Sequence, residues 1–414
     1  MVVAGSRNPL NRLYLAIGIT LSIILISYLT FGQPKKHIAT IKNAAIGVTV
    51  DKICHSEQDD IYNFKTRYPL REKPEKKVVA LLFAGRKQYV SILECYIRRN
   101  LVRNGGWLDE VVWIIHTQDQ TDINFLEEII NEVPEYTQHI ARSYHDAYSI
   151  LERDTIYVKI DDDVVFMEDH TIPAIVKRLD DNPQYSIVSA NVMNQPALSW
   201  VHYHLGAIHP YLPELEKPDD FVENRAEEHD WRLSSTPAWH GPENYTFNRT
   251  AGPPFEGHRW LRLPDTHLVE ETPAGAMGGD GREYNEASIG WSSWAIAAQQ
   301  HYSFLENVER KQLWRYKFDL WYYHFDRLSI NFIAFDGSTL LDNPVPEGAD
   351  DEIYLTKVMP KNISRPAVLD GSGMAVHFSF SIHIGDLKTT DLLARYRNYA
   401  DEFICGKEMG SPRA

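Results

Sequence analysis

Three consecutive aspartates, Asp161, Asp162 and Asp163, follow an apolar stretch of the chain, and apolar residues resume directly after them. We call these three residues the acidic triplet. A buried strand points alternate side chains to opposite faces, so we expect Asp161 and Asp163 to point one way and Asp162 the other. Adjacent carboxylates repel one another and resist burial, which predicts a positive partner. Oxygen ligands at a strand end suit Mg²⁺ or Mn²⁺, which in turn bind phosphate oxygens. The alternative is an acidic turn after an ordinary strand.

Strands and helices alternate on both sides of the acidic triplet. Continuous apolar stretches predict strands at residues 78–83, 111–115, 156–160, 185–190, 330–335 and 373–380, and helical spacing predicts helices at residues 90–101, 125–133, 170–180, 291–309 and 388–403. This alternation predicts an α/β fold with a mostly parallel, doubly wound sheet and helices on both of its faces. Ligands bind such sheets at the carboxyl ends of strands, which is where the acidic triplet falls.

The stretch between residues 195 and 325 has little periodicity and is rich in Trp, Tyr, His and Pro. Aromatic faces flanked by polar groups suit sugar rings, but long loops also use aromatic residues to anchor themselves. Both interpretations stay open for each of these residues.

The charge of the chain excludes one class of function. A net charge of -15 over 414 residues provides no basic surplus to neutralise a nucleic-acid backbone. Nucleotide phosphates can still bind an acidic protein through a metal ion. The three cysteines, Cys54, Cys95 and Cys405, are too few for a disulfide scaffold. Cys95 lies in a helical apolar pattern and is expected to be a buried thiol, which leaves Cys54 and Cys405 as the expected pair.

An uncharged apolar stretch over residues 13–31 is long enough to cross a bilayer as a helix. A cleaved signal peptide is the alternative, but its apolar region is shorter and no small-residue cleavage site follows here. Three N-x-Ser/Thr sequons, at Asn244, Asn248 and Asn362, favour a lumenal body. We therefore expect a single-pass type II protein of the Golgi or ER membrane. Its expected parts are a cytosolic tail at 1–12, the membrane anchor at 13–31 and a stem at 32–75.

Two later motifs carry further chemistry. Asp351 and Glu352 begin a predicted helix, where acidic side chains either favour the helix dipole and cap the helix or act as a base. His377 lies within an apolar strand, where it is either a core histidine or a nitrogen ligand, which Mn²⁺ accepts better than Mg²⁺.

Taken in order, the anchor, the stem, the alternating strands and helices and the acidic triplet resemble a Golgi-type GT-A glycosyltransferase with a DxD motif. The Asp-Asp-Asp-Val pattern at residues 161–164 most resembles that of β1,3-galactosyl- and N-acetylglucosaminyltransferases. The interval to the second acidic motif is longer here than in that group, so neither the subfamily nor the donor sugar is assigned. The resemblance spans residues 76–390 in outline and rests on motifs at three places.

The resemblance implies a GT-A, Rossmann-like fold and a metal-dependent transfer of a sugar from a nucleotide-diphosphate sugar, UDP-linked, to a hydroxyl of a glycan or glycoprotein, with inversion. It implies a nucleotide-sugar-binding half at 76–195, an acceptor-binding half at 196–385 and a C-terminal helix and tail at 386–414. The resemblance implies that Asp161, Asp163 and His377 bind the metal. It implies that Arg86, Asp161 and Asp162 contact the nucleotide. It also implies that Asp351 or Glu352 is the catalytic base. Asp162 is expected to be the most dispensable of the acidic triplet.

Two other classes of protein remain as alternatives. A haloacid-dehalogenase-like phosphatase would use Asp161 as nucleophile and Asp163 as acid, with Asp386 or Asp391 in its last motif. Its nucleophile belongs on the first strand of the domain, whereas two strand-helix units precede the acidic triplet here. A non-catalytic lumenal glycan-binding protein is the second alternative, and it predicts no turnover of sugar nucleotides.

Overall fold

The computed structural model describes residues 73–219, 221, 230–242, 244–248, 251–278 and 289–405. The expected cytosolic tail, the expected membrane anchor and nearly all of the expected stem lie outside the described residues, as does Cys54. Within them, no helix combines the length and the apolar character needed to cross a bilayer.

The described residues form eleven strands. In chain order they are β1 (Lys77–Ala84), β2 (Glu110–Ile115), β3 (Tyr136–Ile140), β4 (Thr155–Asp161), β5 (Val164–Met167), β6 (Ile187–Met193), β7 (Tyr211–Pro213), β8 (Trp260–Arg262), β9 (Leu320–Trp321), β10 (Phe332–Asp336) and β11 (Ala367–His377). Strands β7 and β8 pair with each other, and the remaining nine form one sheet in the order β3-β2-β1-β4-β10-β6-β11-β5, with β9 on β11.

The described residues also form twelve α-helices. They are α1 (Lys87–Arg99), α2 (Gln120–Glu132), α3 (Tyr144–Ala147), α4 (Thr171–Asp181), α5 (Pro196–His204), α6 (Ile289–Ser292), α7 (Trp294–Glu309), α8 (Gly337–Asp342), α9 (Asp351–Ile353), α10 (Met359–Asn362), α11 (Ile384–Leu387) and α12 (Leu392–Phe403). A π-helical stretch, Tyr354–Val358, joins α9 to α10, and 3₁₀ turns occur at Val102–Asn104, Leu233–Ser235, Thr266–Glu271, Pro273–Met277 and Leu313–Tyr316.

The large sheet is mixed, and its direction is mostly parallel. Strands β1, β2, β3, β4, β6 and β11 run one way, whereas β5, β9 and β10 run the other. From β1 the chain moves outward to β3, then returns to β4 and moves in the opposite direction to β6. Right-handed crossovers in opposite directions place their helices on opposite faces of the sheet. The predicted α/β class is therefore confirmed, with β10 as an antiparallel strand between β4 and β6.

Two features of the large sheet, the strand β3 and the direction of β10, were not predicted from the sequence, for different reasons. Strand β3 is a polar edge strand with only Tyr136 buried, so it lacks the apolar stretch of its neighbours. The residues of β10 were predicted as a strand, but nothing in an apolar stretch specifies its direction. Three strands, rather than two, therefore precede β4.

The aperiodic central part of the chain is ordered around α7. Nearly every residue of this helix is buried, including polar side chains. The Gln299 amide donates to the carbonyl of His209 at 2.8 Å, and the Asn307 amide donates to the carbonyl of Ala207 at 2.8 Å. These bonds hold the preceding loop against the helix. The helix predicted at residues 291–309 is therefore present, and it is buried all round rather than on one face.

The expected pairing of Cys54 with Cys405 is wrong, because Cys95 and Cys405 form a disulfide with their Cα atoms 5.0 Å apart. Cys95 lies on α1, and Cys405 follows the end of α12, which packs against α1 and β5. The helical pattern around Cys95 indicated a buried thiol, but the Cys95 side chain lies on the side of α1 that faces α12. The disulfide links Cys405, the last described residue, to α1, the first helix that follows a strand of the sheet.

Candidate active site

The acidic triplet lies at the carboxyl end of β4, as predicted. Asp161 is the last residue of β4, and Asp162 and Asp163 form the turn into β5. Because β5 pairs with β11, His377 is opposite Val164 and beside the triplet. His377 Nε2 lies 3.2 Å from Asp163 Oδ1, and both side chains are buried. The pairing of two strands distant in sequence therefore brings together two of the predicted metal ligands.

Arg86 lies at the carboxyl end of the neighbouring strand β1 and contacts two members of the triplet. Its guanidinium forms an ion pair with Asp162, and its Nη2 lies 3.0 Å from Asp163 Oδ2. The backbone N–H of Gly85 donates to Asp162 Oδ2 at 3.1 Å. Asp162 is buried and joins the turn to the end of β1. That it is the most dispensable aspartate of the triplet stays a prediction.

Asp161 faces a different set of partners. Lys159 Nζ donates to Asp161 Oδ1, and the Asn331 amide donates to Asp161 Oδ2 at 3.0 Å. Asp161 and Asp163 therefore do not share one set of contacts, because the triplet leaves the strand after Asp161 and the alternation of strand side chains no longer holds. The positive partners predicted for the triplet include two protein cations, Lys159 and Arg86.

Burial and these contacts together shift the pKa values of Asp162 and Asp163 in opposite directions. Burial raises the pKa of Asp162 to about 6, and the Arg86 guanidinium offsets only part of that effect. Burial also disfavours the charge on Asp163, but His377 and Arg86 outweigh it and hold the pKa of Asp163 below its usual range. Burial opposes protonation of His377, whereas the Asp163 carboxylate raises the pKa of His377 above its usual value. Asp163 is therefore the carboxylate kept charged at the centre of the site.

The residues around Asp163 fit a divalent cation. Asp163 offers carboxylate oxygens and His377 an imidazole, and Nδ1 of His377 is buried without a hydrogen-bond partner among the described residues. The described residues contain no group of three His, Cys, Asp or Glu side chains arranged to hold a metal. Two protein ligands with open positions agree with a cation that takes its remaining ligands from phosphate oxygens and water. Metal binding by Asp161, Asp163 and His377 stays a prediction.

The second acidic motif begins α9. Asp350 is the residue that caps the helix, since its carboxylate accepts from the backbone N–H of Ile353 at 2.9 Å. Asp351 is buried and accepts from the hydroxyl of Tyr148 at 3.1 Å, and Glu352 accepts from Arg327 Nε at 2.6 Å. Burial raises the pKa of both Asp351 and Glu352. Capping, the alternative explanation for this motif, is thus supplied by Asp350 and leaves the other two carboxylates for another role.

Lys159 connects the two acidic motifs. It is buried on β4, and besides Asp161 it binds the carbonyl of Ile330 at 3.0 Å. Burial opposes its charge, but Asp161, Asp351 and Glu352 outweigh it and raise the pKa of Lys159 above its usual value. Because the buried Lys159 ammonium interacts with carboxylates of both acidic motifs, the charges of the two motifs influence each other, and we call the two motifs with Lys159 one electrostatic unit.

Sequence reasoning missed the residues that support this unit: Tyr148, Lys159, Arg327 and Asn331. Lys159 was visible as a charge inside an apolar strand, a pattern that predicts a buried ion pair. Asn331 comes directly before β10, and the polar residues sought were those that follow strands. Tyr148 and Arg327 carry no local signal, because their partners lie far away in the sequence.

No protein-family model and no curated protein matches the chain. Among solved structures, a mycobacterial protein aligns at 15% identity over 31% of this chain and 43% of its own length, with a TM-score of 0.24. Glucosyl-3-phosphoglycerate synthase from Mycobacterium tuberculosis, with Mn²⁺, UDP-glucose and phosphoglyceric acid, aligns at 17% identity over 32% and 46%, with a TM-score of 0.21. CMP:2-keto-3-deoxy-manno-octonic acid synthetase with CTP aligns at 9% identity over 72% and 90%, with a TM-score of 0.29.

The chain spans less than half the length of the first two of these structures. TM-scores of this size do not define a shared fold, so the function of the chain is argued from its geometry.

Proposed function

We propose that this protein is a metal-dependent glycosyltransferase that moves a sugar from a nucleotide-diphosphate sugar to a hydroxyl of a glycan or glycoprotein acceptor. The observation that carries the proposal is the buried contact between Asp163 and His377 at the carboxyl edge of the sheet. A buried carboxylate and imidazole in contact can serve metal or acid-base chemistry, and this pair lies where α/β sheets bind nucleotides.

On the donor side, Asp163 and His377 would hold Mn²⁺ or Mg²⁺, with Asp161 as a further candidate ligand. A cation bound there neutralises the negative charge that develops on the diphosphate as the sugar departs. Arg86 holds Asp162 and Asp163 in place and presents part of its guanidinium to solvent, where it can contact the nucleotide. We propose UDP as the nucleotide because the motif resemblance implies it.

On the acceptor side, Asp351 is the better candidate for the base. Its carboxylate is oriented by Tyr148, and burial raises its pKa, which makes it a stronger proton acceptor than an exposed aspartate. Glu352 forms an ion pair with Arg327, so we assign it to positioning this helix start. Direct attack by the acceptor hydroxyl that Asp351 deprotonates inverts the configuration at the anomeric carbon.

The proposed location is the Golgi or ER membrane, with the described part of the chain lumenal. This proposal rests on the apolar stretch at residues 13–31 and on the sequons. Asn244, Asn248 and Asn362 all have exposed side chains, as attachment of a glycan requires.

The phosphatase alternative finds no support in the contacts of its last motif. The Asp391 carboxylate is buried and accepts from Arg395 Nε at 2.9 Å, and it also accepts from the hydroxyl of Tyr302. Asp386 is exposed. Asp391 therefore joins α7 to the C-terminal helix α12, whereas the acidic triplet faces Arg86, Lys159 and His377.

The test is turnover with a panel of sugar nucleotides. The purified lumenal part, residues 32–414, would be incubated with Mn²⁺ and each donor, and release of nucleoside diphosphate would be measured with and without EDTA. We expect one donor class to be used in a manner that EDTA abolishes and that Asp163→Asn lowers. The absence of turnover with every donor, together with donor binding that is intact in Asp163→Asn, would indicate a glycan-binding protein instead.

A further inference from the structure

The segment between β9 and β10, residues 322–331, contacts both acidic motifs. Arg327 binds Glu352 at 2.6 Å, the carbonyl of Ile330 accepts from Lys159 at 3.0 Å, and Asn331 donates to Asp161 at 3.0 Å. The last five residues of this segment therefore follow the site from the candidate base to the acidic triplet. Its first residues have no assigned role.

Two consecutive residues of the segment have left-handed backbone conformations. The φ angles are 54° at His324 and 56° at Phe325. A Cβ atom makes this conformation sterically unfavourable, and a phenylalanine adopts it rarely. Strain of this kind persists where the surrounding structure maintains it, and it is concentrated at functional sites. The strain here fixes the directions of two ring side chains.

Three rings lie together at this point. The Tyr322 ring centroid is 4.5 Å from that of His324 and 5.9 Å from that of Phe325. His324 is exposed, and Tyr322 and Phe325 are partly exposed. Tyr323, between them, is instead buried in the core. One aromatic residue therefore anchors the segment, and the other three keep ring surface in contact with solvent.

These rings lie close to the candidate base. Phe325 is two residues from Arg327, so their Cα atoms are within about 7 Å of each other. The Arg327 guanidinium in turn contacts Glu352, next to Asp351. The segment that carries the rings therefore also contacts the helix start that holds the carboxylate we assign as the base.

We propose that Tyr322, His324 and Phe325 form a platform that binds the pyranose ring of the acceptor. The C–H face of a pyranose packs on aromatic surface, and its hydroxyls can bond to the Tyr322 hydroxyl and the His324 imidazole. The assignment to the acceptor, rather than to a sugar in general, rests on the function proposed above.

The test is direct binding of simple sugars, without turnover. The full-length wild-type protein and three full-length variants, Tyr322→Ala, His324→Gly and Phe325→Ala, would be titrated with a panel of methyl hexopyranosides by saturation-transfer NMR. We expect the Kd of the best glycoside to rise about fivefold to tenfold in each variant. Binding of UDP with Mn²⁺ should be unchanged, and Trp314→Ala provides a matched control, since Trp314 is an exposed aromatic residue outside the segment.

His324→Gly separates a binding role from a structural role. Glycine adopts a positive φ without strain, so this variant should have a higher Tm than wild type and still bind the glycoside more weakly. A ring that serves only the packing of the loop predicts an unchanged or lower Tm with unchanged glycoside affinity, and unchanged affinity would overturn the proposal.

The remaining outcomes are also decisive. If wild-type protein binds no glycoside of the panel, or if the variants lose UDP–Mn²⁺ binding and keep glycoside binding, the platform is not an acceptor site. If the variants lose glycoside binding but no sugar nucleotide is turned over by wild type, the platform stands as a sugar site and the proposed transferase activity fails.

Discussion

The imidazole of His377 and the carboxylate of Asp163 lie 3.2 Å apart, on β11 and on the turn between β4 and β5. The two side chains are buried, and each stabilises the charged form of the other. Neither element contains the site alone: β4 brings the carboxylate to the edge of the sheet, and the pairing of β5 with β11 brings the imidazole to it.

Asp163→Asn should weaken Mn²⁺ binding more than Asp161→Asn. Asp163 is in contact with His377, whereas Asp161 is already paired with Lys159 and Asn331. We expect the Mn²⁺ affinity of Asp163→Asn to fall by at least about tenfold, since loss even of groups that support metal ligands costs that much. Isothermal titration calorimetry with UDP present would measure it. An equal or larger loss in Asp161→Asn would show that Asp161 is the principal ligand.

Asp351→Asn should remove the base and leave the donor site intact. General-base catalysis contributes about 10²–10⁴-fold to a rate, so kcat for transfer should fall by that order. Glu352→Gln should cause a smaller loss, because it removes only the ion pair with Arg327. Equilibrium binding of UDP with Mn²⁺ serves as the control in both variants. If Glu352→Gln has the larger effect on kcat, the two roles are exchanged.

The Asp163–His377 pair makes the stability of the metal-free protein depend on pH. The folded pKa of His377 is raised from about 6.5, so its contribution is complete below pH 6.5 and is lost as the pH rises through the folded value. The folded pKa of Asp163 is lowered, so its contribution is present above its unfolded value and is lost as the pH falls through the folded one.

His377→Gln should therefore lower the free energy of unfolding by about 1.5–3 kcal/mol near pH 5.5, and by less at pH 8. Urea unfolding in EDTA would measure it, with His204→Gln as a control at an exposed histidine. Mn²⁺ binding should have the opposite trend and strengthen with rising pH, since the metal requires the neutral imidazole. A loss of stability that is equal at both pH values would contradict the charged pair.

Cys95→Ser and Cys405→Ser should each lower the free energy of unfolding by about 2–5 kcal/mol, because either change opens a disulfide that closes a long loop. Cys54→Ser should leave stability unchanged. Guanidinium unfolding without reductant would compare the three variants, and peptide mapping of the unreduced protein should find Cys95 joined to Cys405. A peptide that links Cys54 to Cys405 would restore the expectation drawn from the sequence.

Local patterns were enough to predict the parts of this protein that depend on neighbours in sequence. The apolar stretches of β1, β2, β4 and β6 and the helical spacing of α1 and α4 are properties of short segments, and the acidic triplet is adjacent to one of them. The α/β class and the edge of the sheet that carries the triplet follow from these segments alone.

The remaining features depend on contacts between distant segments. The Lys159 contact with Ile330 and the Asn331 contact with Asp161 require β10 to lie beside β4, and no local pattern specifies that neighbour. The disulfide depends likewise on α12 packing against α1. We expected Cys54 to pair with Cys405 because the helical apolar pattern around Cys95 indicated a core position. The sequence alone does not show that Cys95 faces α12, because that requires knowing that α12 packs against α1.

The antiparallel direction of β10 has a consequence for how such an enzyme could change its substrate. The loops that leave the parallel strands β1, β2 and β6 each begin the next helix of the fold. β10 presents the loop that enters it, residues 322–331, whose other end joins only the two-residue edge strand β9. A loop attached in this way can be lengthened, shortened or exchanged without moving a helix of the sheet. Residues 322–326 of this loop are therefore where we would direct mutagenesis to alter acceptor choice, because Ile330 and Asn331 contact Lys159 and Asp161 and should be kept.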